Sequence, residues 1–353
     1  MSHIEIVLPF GLPSAQMAKQ LVHELEIDAL AAMIAHTRTS SRLPDFAPLS
    51  RALPHEAWLA YQFGLTEAIV SDNSPPFAAA AMQLRGLAQD KGFWFILHPA
   101  HVDVGHDQMV MADRRTLALA AAESLAMFNA AKPCFDEAGR TLLYGDAMTW
   151  FIRADDWNDF QTTSPDMACN RNLSHWMPEG KQELQWRKLQ NEVQMVWHTH
   201  PINAARAERG AKTVNSLWLW GGTYGAMPNF PAILPYTAAF GFSGRMEAYG
   251  QFFPENRPEY TVADILSNPP EHGMVFIDQL IAPALAADWN AWLSAYQELE
   301  AVWFDPLFEE LNNQRIDRIT LNLSNDVTLK AFSTDRQSQR KFWIRKSLSE
   351  LLP

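Results

Sequence analysis

The sequence predicts an α/β protein that contains a separate α+β module. Residues 186–228 have the pattern of two helices, a buried strand and a glycine pair, which is half of an α/β unit. Residues 91–184 have the pattern strand, strand, helix, strand, strand, which is typical of an α+β module. We therefore expect residues 1–90 and 185–353 to form a discontinuous α/β core and residues 91–184 to form an inserted module.

The elements before the module alternate between strand and helix. Residues 4–8 form a short β-rich run that a Pro/Gly-rich segment ends. Ser14 has the position of an N-cap for a helix over residues 15–35, and two shorter helices are expected at residues 55–63 and 76–89.

Inside the module, residues 93–98 and 108–111 are predicted to be paired strands around a His/Asp/Gly connection. An Ala- and Leu-rich helix follows over residues 114–129. Residues 141–152 then read as two short strands with a turn at Gly145 and Asp146.

The helix that follows the module has two distinct faces. Its apolar face recurs at helical spacing and consists of Leu189, Val193, Val196 and Trp197. A second face is polar but uncharged and consists of Asn191, Gln194 and His198. Because solvent-facing helices normally carry Lys and Glu, these three side chains are predicted to line a groove or to make polar contacts inside the protein.

A second helix is predicted from Pro201 to residue 209, with Thr199 or His200 as its cap and Gly210 as its stop. Residues 214–220 then form a buried strand, after which Gly221 and Gly222 would let the backbone turn sharply. Ligands of open α/β sheets bind beyond the carboxyl ends of strands, so this glycine loop is the expected place of a site.

The C-terminal part continues the α/β pattern. Strands are predicted at residues 274–278 and 318–323, with a long amphipathic helix over residues 288–312 between them. Residues 328–333 pair beside the last strand, and residues 337–352 form a docked helix.

Composition limits the possible partners. The 353-residue chain has a formal net charge of −12 and no basic run longer than Arg114-Arg115, which excludes a nucleic-acid backbone and an anionic membrane surface as partners. Cys134 and Cys169 form no CxxC motif and indicate a reducing compartment. Without a signal segment or an apolar run of about 18 residues, a cytoplasmic protein is expected.

The central motif carries a resemblance. His200-Pro201-Ile202-Asn203, Arg206, Gly210 and the run from Asn215 to Gly222 (N-S-L-W-L-W-G-G), preceded by L-Q-N-E-V-Q-M at residues 189–195, resemble the regulatory proteins of the "regulation of pathogenicity factors, E type" family. More distantly, the motif is similar to archaeal-type cofactor-independent phosphoglycerate mutases of the alkaline phosphatase superfamily. The resemblance implies a three-layer alkaline phosphatase-like core with an inserted α+β module.

The same resemblance implies two divalent metals and a hydroxyl nucleophile, and the chain departs from the pattern at each of those places. The first strand ends at residues 8–11 (L-P-F-G) without a carboxylate, and residues 24–28 (E-L-E-I-D) lack the hydroxyl. Asp278 begins a late ligand motif that has no histidine, while residues 326–328 (D-V-T) and 164–166 (S-P-D) keep only parts of theirs. The expectation is a protein without cofactor that has lost phosphomutase chemistry.

An anion-binding site is one interpretation of the polar residues in the central motif. Asn203, Arg206, Asn215 and the Gly221-Gly222 pair offer amide, guanidinium and backbone donors that suit phosphate or carboxylate. The side chains that would complete such a site are Asn191, Gln194, His198 and His200. The structural alternative is that Asn203 caps a turn and Arg206 pairs with Glu208 or a sheet edge.

A metal site has two weaker candidates. One is the group His98, His101, Asp103 and His106, whose ligand types suit Zn²⁺ but whose Pro and Gly neighbours also describe an ordinary polar turn. The other is His198 with His200, whose side chains would point about 200° apart on a helix. A cap and a hydrogen-bonded histidine explain that second pair without a metal.

Three functions follow from these observations. The first is a non-catalytic regulatory or ligand-sensing protein on a degenerate phosphoglycerate mutase-like scaffold, for which a small anion or a protein is the expected partner. The second is a metal-dependent phosphomutase or phosphatase with a rebuilt site at residues 98–106. The third is a module that binds a protein partner through aromatic surfaces around Trp218 and residues 240–253.

Overall fold

The structure is a computed structural model that describes residues 2–69, 72–87, 91–105, 108–225, 236–243, 246–250, 253, 255–341 and 343–353. The chain divides into two compact units. The first unit contains residues 1–48 and 231–353, and the second contains residues 49–230.

Thirteen strands are found in the described residues. They are β1 (His3–Leu8), β2 (Thr39–Arg42), β3 (Phe93–Ala100), β4 (Val102–Val104), β5 (Met109–Met111), β6 (Thr141–Asp146), β7 (Thr149–Arg153), β8 (Ser216–Tyr224), β9 (Ala238–Phe240), β10 (Asn256–Arg257), β11 (His272–Phe276), β12 (Arg318–Ser324) and β13 (Leu329–Asp335).

The α-helices of the described residues vary from single turns to five turns. They are α1 (Ala18–Glu24), α2 (Asp28–Ala35), α3 (Pro54–Gln62), α4 (Ala78–Leu84), α5 (Ala121–Glu137), α6 (Pro165–Ala168), α7 (Glu183–His198), α8 (Pro201–Glu208), α9 (Glu247–Gly250), α10 (Val262–Ser267), α11 (Ile281–Leu285), α12 (Trp289–Leu299), α13 (Asp305–Asn312) and α14 (Arg336–Gln339). A π-helical segment, Glu300–Phe304, joins α12 to α13.

The first unit is built on a seven-stranded mixed sheet. The strand order is β10-β9-β11-β1-β12-β13-β2, in which β10, β9, β11, β1 and β12 run parallel. β13 is antiparallel to both of its neighbours. The central strand β1 is apolar and buried over Ile4, Ile6, Val7 and Leu8, as expected of a parallel strand covered on both faces. The predicted α/β class is therefore confirmed.

The helix predicted over residues 15–35 is two helices. Leu25 and Ile27 adopt extended backbone conformations between α1 and α2. The carboxylate of Glu300 accepts hydrogen bonds from the backbone N–H groups of Ala29 and Leu30, at 2.5 and 3.3 Å, and so caps the first turn of α2. The start of α2 is thus determined by Glu300, which is remote in sequence, so the spacing of nearby apolar residues does not predict the break between α1 and α2.

The second unit has its own four-stranded antiparallel sheet with the order β6-β7-β3-β8. Its core is rich in tryptophan: Trp150 on β7 and Trp197 on α7 lie edge to face with ring centroids 5.9 Å apart. The indole Nε1 of Trp197 donates to the carbonyl of Met127 on α5 at 2.9 Å, which ties the two long helices together.

The pairing of β8 with β3 places residues 186–228 differently from the sequence-based expectation. β8 is hydrogen-bonded along its length to β3, from Ser216 opposite Ala100 to Tyr224 opposite Phe93, and is not part of the seven-stranded sheet. The unit boundaries consequently lie at 48/49 and 230/231 instead of 90/91 and 184/185. Both units offer buried apolar strands, and local sequence does not tell which strand a neighbour pairs with.

Gly221 and Gly222 do not form the predicted loop, because β8 continues through them to Tyr224. Gly221 has a φ of 70°, and the register of β3 shifts opposite this point, between Trp94 and Ile96. A Cβ atom on Gly222 would lie 2.5 Å from Cε1 of Phe95. Gly221 therefore permits an irregularity in the strand pairing, and Gly222 permits the close approach of the Phe95 ring.

The hairpin predicted around residues 98–108 also differs. β3 extends to Ala100, so His98 lies within the strand and not in a connection. Residues 109–111 pair instead with β4, which forms a separate two-stranded ribbon. Among the helices of the described residues, none has the length and apolar character required to cross a bilayer.

Candidate functional site

Asn203 uses its side-chain amide inside the second unit. Its Nδ2 donates to the carbonyl oxygens of Trp197 and Val214, at 2.9 and 2.7 Å, and its Oδ1 accepts from the N–H of Val214 at 2.8 Å. The residue is buried on α8. Asn203 thus joins the end of α7 to the segment that leads into β8.

Arg206 is fully buried and is surrounded by acceptors from the protein itself. Its Nε donates to the carbonyl of Lys212 at 2.7 Å, Nη1 pairs with Glu123 Oε2 at 2.6 Å, and Nη2 donates to the carbonyl of Leu117. The expected partners, Glu208 or a sheet edge, are not those found. Burial raises the pKa of Glu123, but the hydrogen bonds from Arg209, Ala120 and Arg206 outweigh it and leave that pKa below its usual value.

The other residues of the motif are similarly placed within the fold. Asn215 bridges to β4, accepting from the N–H of Val102 at 2.7 Å and donating to its carbonyl at 2.8 Å. His200 caps α8 by accepting from the N–H of Ile202 at 3.2 Å. The N–H of Gly221 donates to Ser74 Oγ at 3.0 Å. In each of these contacts the polar group bonds to another group of the protein itself.

The uncharged face of α7 is on the surface, contrary to the prediction of a groove or an internal contact. Asn191, Gln194 and His198 are exposed. Gln190, one residue earlier, makes the polar contact with the sheet: its Nε2 donates to Ser216 Oγ at 3.1 Å and to the Leu217 carbonyl at 2.8 Å. A helical face without charges is therefore not sufficient to predict burial.

The histidine cluster near β3 does not assemble a metal site from the described residues. His98 is buried, its Nδ1 contacts the carbonyl of Met148, and Arg114 donates to its Nε2 at 3.1 Å. His101 instead places Nδ1 2.7 Å from the Thr213 carbonyl and Nε2 3.1 Å from Asp103 Oδ1. His106 lies outside the described residues. The rings of His98 and His101 thus bond to different groups.

The aromatic surfaces proposed for a protein partner are buried. Trp218 is 3% exposed and donates from Nε1 to the Thr163 carbonyl at 2.8 Å. In the region 240–253, the described rings of Phe240, Phe242 and Phe253 are also buried. An exposed aromatic patch is thus not present at these residues.

In the first unit, the carboxyl end of β1 is closed by apolar packing. Phe10 and Leu12 are buried there. Trp292 Nε1 donates to the Phe10 carbonyl at 2.9 Å, and the Tyr296 hydroxyl donates to the Gly11 carbonyl. Where the resemblance places a metal-binding carboxylate, the chain has aromatic donors bonded to backbone oxygens.

A cavity of about 300 Å³ opens at the carboxyl ends of β9 and β11. Its lining includes Gly241, Ser243, Tyr260, Asp278 and Trp303. Gly241 has a φ of 77°, and a Cβ atom there would lie 2.2 Å from the Phe276 carbonyl, so only glycine fits. The carboxyl edge of parallel strands is where α/β sheets bind ligands.

The polar groups of the cavity are mainly neutral. The Tyr260 hydroxyl donates to the Phe276 carbonyl at 3.1 Å, and burial, together with the negative charge of Asp278, raises the pKa of Tyr260 well above its usual value. Val302 and Trp303, from the π-helical segment, form one wall. Single-turn π-helices inside α-helices frequently occur at functional sites.

Sequence reasoning missed this cavity. In the sequence, Asp278 stands out only as a remnant of a metal motif, and Tyr260 belongs to a Gly/Pro/aromatic-rich stretch without clear periodicity. The available signal was that Gly241 and Asp278 each follow a strand of the parallel sheet closely. That signal becomes useful only once β9 and β11 are known to be neighbours.

Side chains that could hold a metal converge at the opposite edge of the sheet. Among the described residues, the one group of three or more His, Cys, Asp or Glu side chains with converging ligand atoms is His3, Glu5 and His272. Burial, followed by the charge of His272, lowers the pKa of His3 to about 4. Burial raises the pKa of Glu5, but hydrogen bonds from His272 and Asn322 bring it below its usual value.

Comparison with known proteins gives a distant relationship, and no family model matches the sequence. The chain is 30% identical over 74 residues to the 2,3-bisphosphoglycerate-independent phosphoglycerate mutase of Methanosarcina mazei, and 30% identical over 70 residues to that of Methanosarcina barkeri. The matched parts are 21% and 20% of this chain and only 18% and 17% of those relatives.

Two solved structures align with nearly the whole chain. The cofactor-independent phosphoglycerate mutase from Thermoplasma acidophilum aligns over 98% of this chain and 95% of its own, with 13% identity and a TM-score of 0.42. The PH0037 protein from Pyrococcus horikoshii aligns over 95% and 87%, with 12% identity and a TM-score of 0.53, and this likeness shows a shared fold. The chain is thus distantly similar in sequence to 2,3-bisphosphoglycerate-independent phosphoglycerate mutases, and it shares a mixed α/β fold with the PH0037 protein.

Proposed function

We propose that this chain is a non-catalytic, ligand-sensing regulatory protein on a phosphoglycerate mutase-like scaffold. The observation that carries the proposal is the closed carboxyl end of β1, where Trp292 and Tyr296 engage the backbone oxygens of Phe10 and Gly11. Two-metal phosphoryl transfer needs several carboxylates and histidines around the reacting oxygens. Among the described residues, converging ligands of that kind are found only at the other edge of the sheet.

The cavity beyond β9 and β11 is the place that we assign to the ligand. It lies at the carboxyl edge of the parallel strands, it holds about 300 Å³, and a π-helical wall borders it. That volume is at the lower end of the range for small-molecule sites, roughly 300–1,000 Å³. A small metabolite fits this description better than a nucleotide.

The ligand that suits the lining carries hydroxyl or amine donors. Asp278 offers a carboxylate acceptor, while Ser243, Tyr260 and Gln279 offer neutral polar groups. A carboxylate in the wall repels an anion, so the anion expected from the sequence is the poorer match here. At the motif itself, an anion would have to compete with Glu123 for the buried guanidinium of Arg206.

The regulatory part of the proposal, and a cytoplasmic place of action, rest on more general support. The central motif resembles regulatory proteins of the "regulation of pathogenicity factors, E type" family. Cys134 and Cys169 are both free thiols, as is usual in a reducing compartment. Such a function would also require a protein partner that binds the liganded form of the chain in preference to the unliganded form.

Catalysis is tested directly by assaying interconversion of 3- and 2-phosphoglycerate with added Mn²⁺ or Mg²⁺. We expect no turnover above that of the metal ions alone. Turnover that a chelator removes would contradict the proposal, and its loss in His101→Ala would favour the alternative of a phosphomutase with a rebuilt metal site at residues 98–106.

Ligand binding is tested by thermal unfolding with a panel of neutral sugars, polyols and polyamines. We expect at least one compound to raise the melting temperature of the wild-type chain and to have no effect on Val302→Trp, since the indole would fill the cavity. Val327→Trp is the matched control, because Val327 is an exposed valine of the same unit that does not line the cavity. Stabilisation that survives Val302→Trp, or none at all, would argue against this site.

A further inference from the structure

His3, Glu5 and His272 form a compact polar cluster at the amino ends of β1 and β11. One ligand atom of each side chain lies within 4.8 Å of those of the other two. His3 and His272 are opposite each other in the parallel register, and Glu5 follows His3 on the same face of β1. Two imidazoles and one carboxylate are the ligand set of many open zinc and iron sites.

The carboxylate of Glu5 is held in place by three polar side chains, two of them on the neighbouring strands β11 and β12. Asn322 Nδ2 donates to its Oε1 at 2.8 Å, the Tyr236 hydroxyl donates to Oε2 at 3.1 Å, and His272 Nε2 lies 3.2 Å from Oε2. His3 is held in turn, with Nε2 2.9 Å from Thr320 Oγ1. Outer partners that orient metal-binding carboxylates and imidazoles are a regular feature of metal sites.

The cluster is open enough for a cation to enter. Glu5 is 11% exposed at its side chain and His272 is 20% exposed, while His3 is half-buried. The rings of His3 and His272 are stacked, with centroids 4.1 Å apart and planes at 15°. Because ring nitrogens bind metal in the plane of the ring, metal binding requires one imidazole to turn about its Cβ–Cγ bond.

We propose that His3, Glu5 and His272 bind one Zn²⁺ or a similar borderline divalent cation, with water in the remaining position. In this site the cation takes the place of the hydrogen bond between His272 Nε2 and Glu5 Oε2, and the two imidazoles disfavour Mg²⁺ and Ca²⁺, which prefer oxygen ligands. Four strand residues separate His3 from the last residue of β1, so the site lies about 16 Å from the carboxyl edge of the sheet. It is independent of the ligand-binding proposal.

The test is calorimetric titration of the metal-free, chelator-treated chain with Zn²⁺, with Co²⁺ absorption as a second readout of coordination. Wild type is expected to bind one Zn²⁺ per chain, and His272→Gln and His3→Gln are each expected to weaken it by at least about 100-fold. Glutamine at 272 keeps a donor for Glu5 but is a poor ligand. His23→Gln, at an exposed histidine of α1, is the matched control and should bind as wild type does.

A histidine substitution could also abolish Zn²⁺ binding by unfolding the chain, and the variant Tyr236→Phe distinguishes the two causes. It keeps all three ligands and removes only the hydroxyl that orients Glu5, so affinity should fall by about 10-fold with little change in melting temperature. No Zn²⁺ uptake by the wild-type chain would overturn the proposal. Uptake that both histidine substitutions leave unchanged would do so as well, since it would place the metal on other histidines.

Discussion

At the scale of single residues, the clearest result is how the central motif is used. Asn203, Arg206 and Asn215 have the chemistry of an anion site, yet each satisfies backbone groups or a carboxylate of its own unit. The partner of Arg206 is Glu123, 83 positions away in the chain. The sequence supplied the polar residues, but it could not supply their partners.

The buried ion pair gives a prediction. Arg206→Ala should lower the free energy of unfolding by about 3 kcal/mol or more, because it removes the buried guanidinium that pairs with Glu123 and donates to the carbonyl oxygens of Lys212 and Leu117. Arg209 pairs with the same carboxylate but is 49% exposed, so Arg209→Ala should cost less than about 1 kcal/mol. Urea unfolding of both variants measures the difference. Equal losses of unfolding free energy would show that burial of the arginine does not determine how much its ion pair with Glu123 contributes to stability.

At the scale of secondary structure, α7 shows what periodicity can and cannot reveal. The spacing of Leu189, Val193 and Trp197 correctly predicts a helix with one buried face. Val196, assigned to that face, is 38% exposed, and the uncharged polar face lies in solvent. Spacing identifies the direction of the core, whereas the width of the buried stripe depends on the elements that pack against it.

Two glutamines on α7 provide a matched test of that distinction. Gln190→Ala should destabilise the chain by about 1 kcal/mol, because Gln190 donates to Ser216 and to the Leu217 carbonyl on β8. Gln194 is exposed, so Gln194→Ala should change stability by no more than about 0.5 kcal/mol. Chemical denaturation distinguishes the two, and a larger loss at Gln194 would contradict the placement of this helix.

At the scale of the whole molecule, the chain consists of two units with separate sheets and cores. The sequence correctly predicts the α/β class, and it expects a discontinuous core that an inserted module interrupts. It assigns α7, α8 and β8 to the interrupted core, whereas β8 pairs with β3 inside the second unit. This pairing decides the boundaries, and it depends on contacts between segments more than a hundred residues apart.

Fragments test the division. Residues 49–230 contain the complete four-stranded sheet and its helices, so this fragment should unfold cooperatively in urea with the near-ultraviolet signal of packed tryptophans. Residues 91–184 lack α7 and β8, which would expose the edge of β3 and half of the tryptophan core, so this shorter fragment should not fold. Cooperative folding of the shorter piece alone would restore the boundaries expected from the sequence.

The sequence by itself determined the α/β class, the order of helix, helix and strand after residue 183, and the distant similarity to phosphoglycerate mutases. These features are local, because hydrophobic spacing, caps and motifs lie within short segments. The tertiary structure alone decided that β8 joins β3, that Arg206 meets Glu123, and that His3 faces His272. Pairing between distant segments depends on which buried edges meet, and no short stretch of sequence encodes that choice.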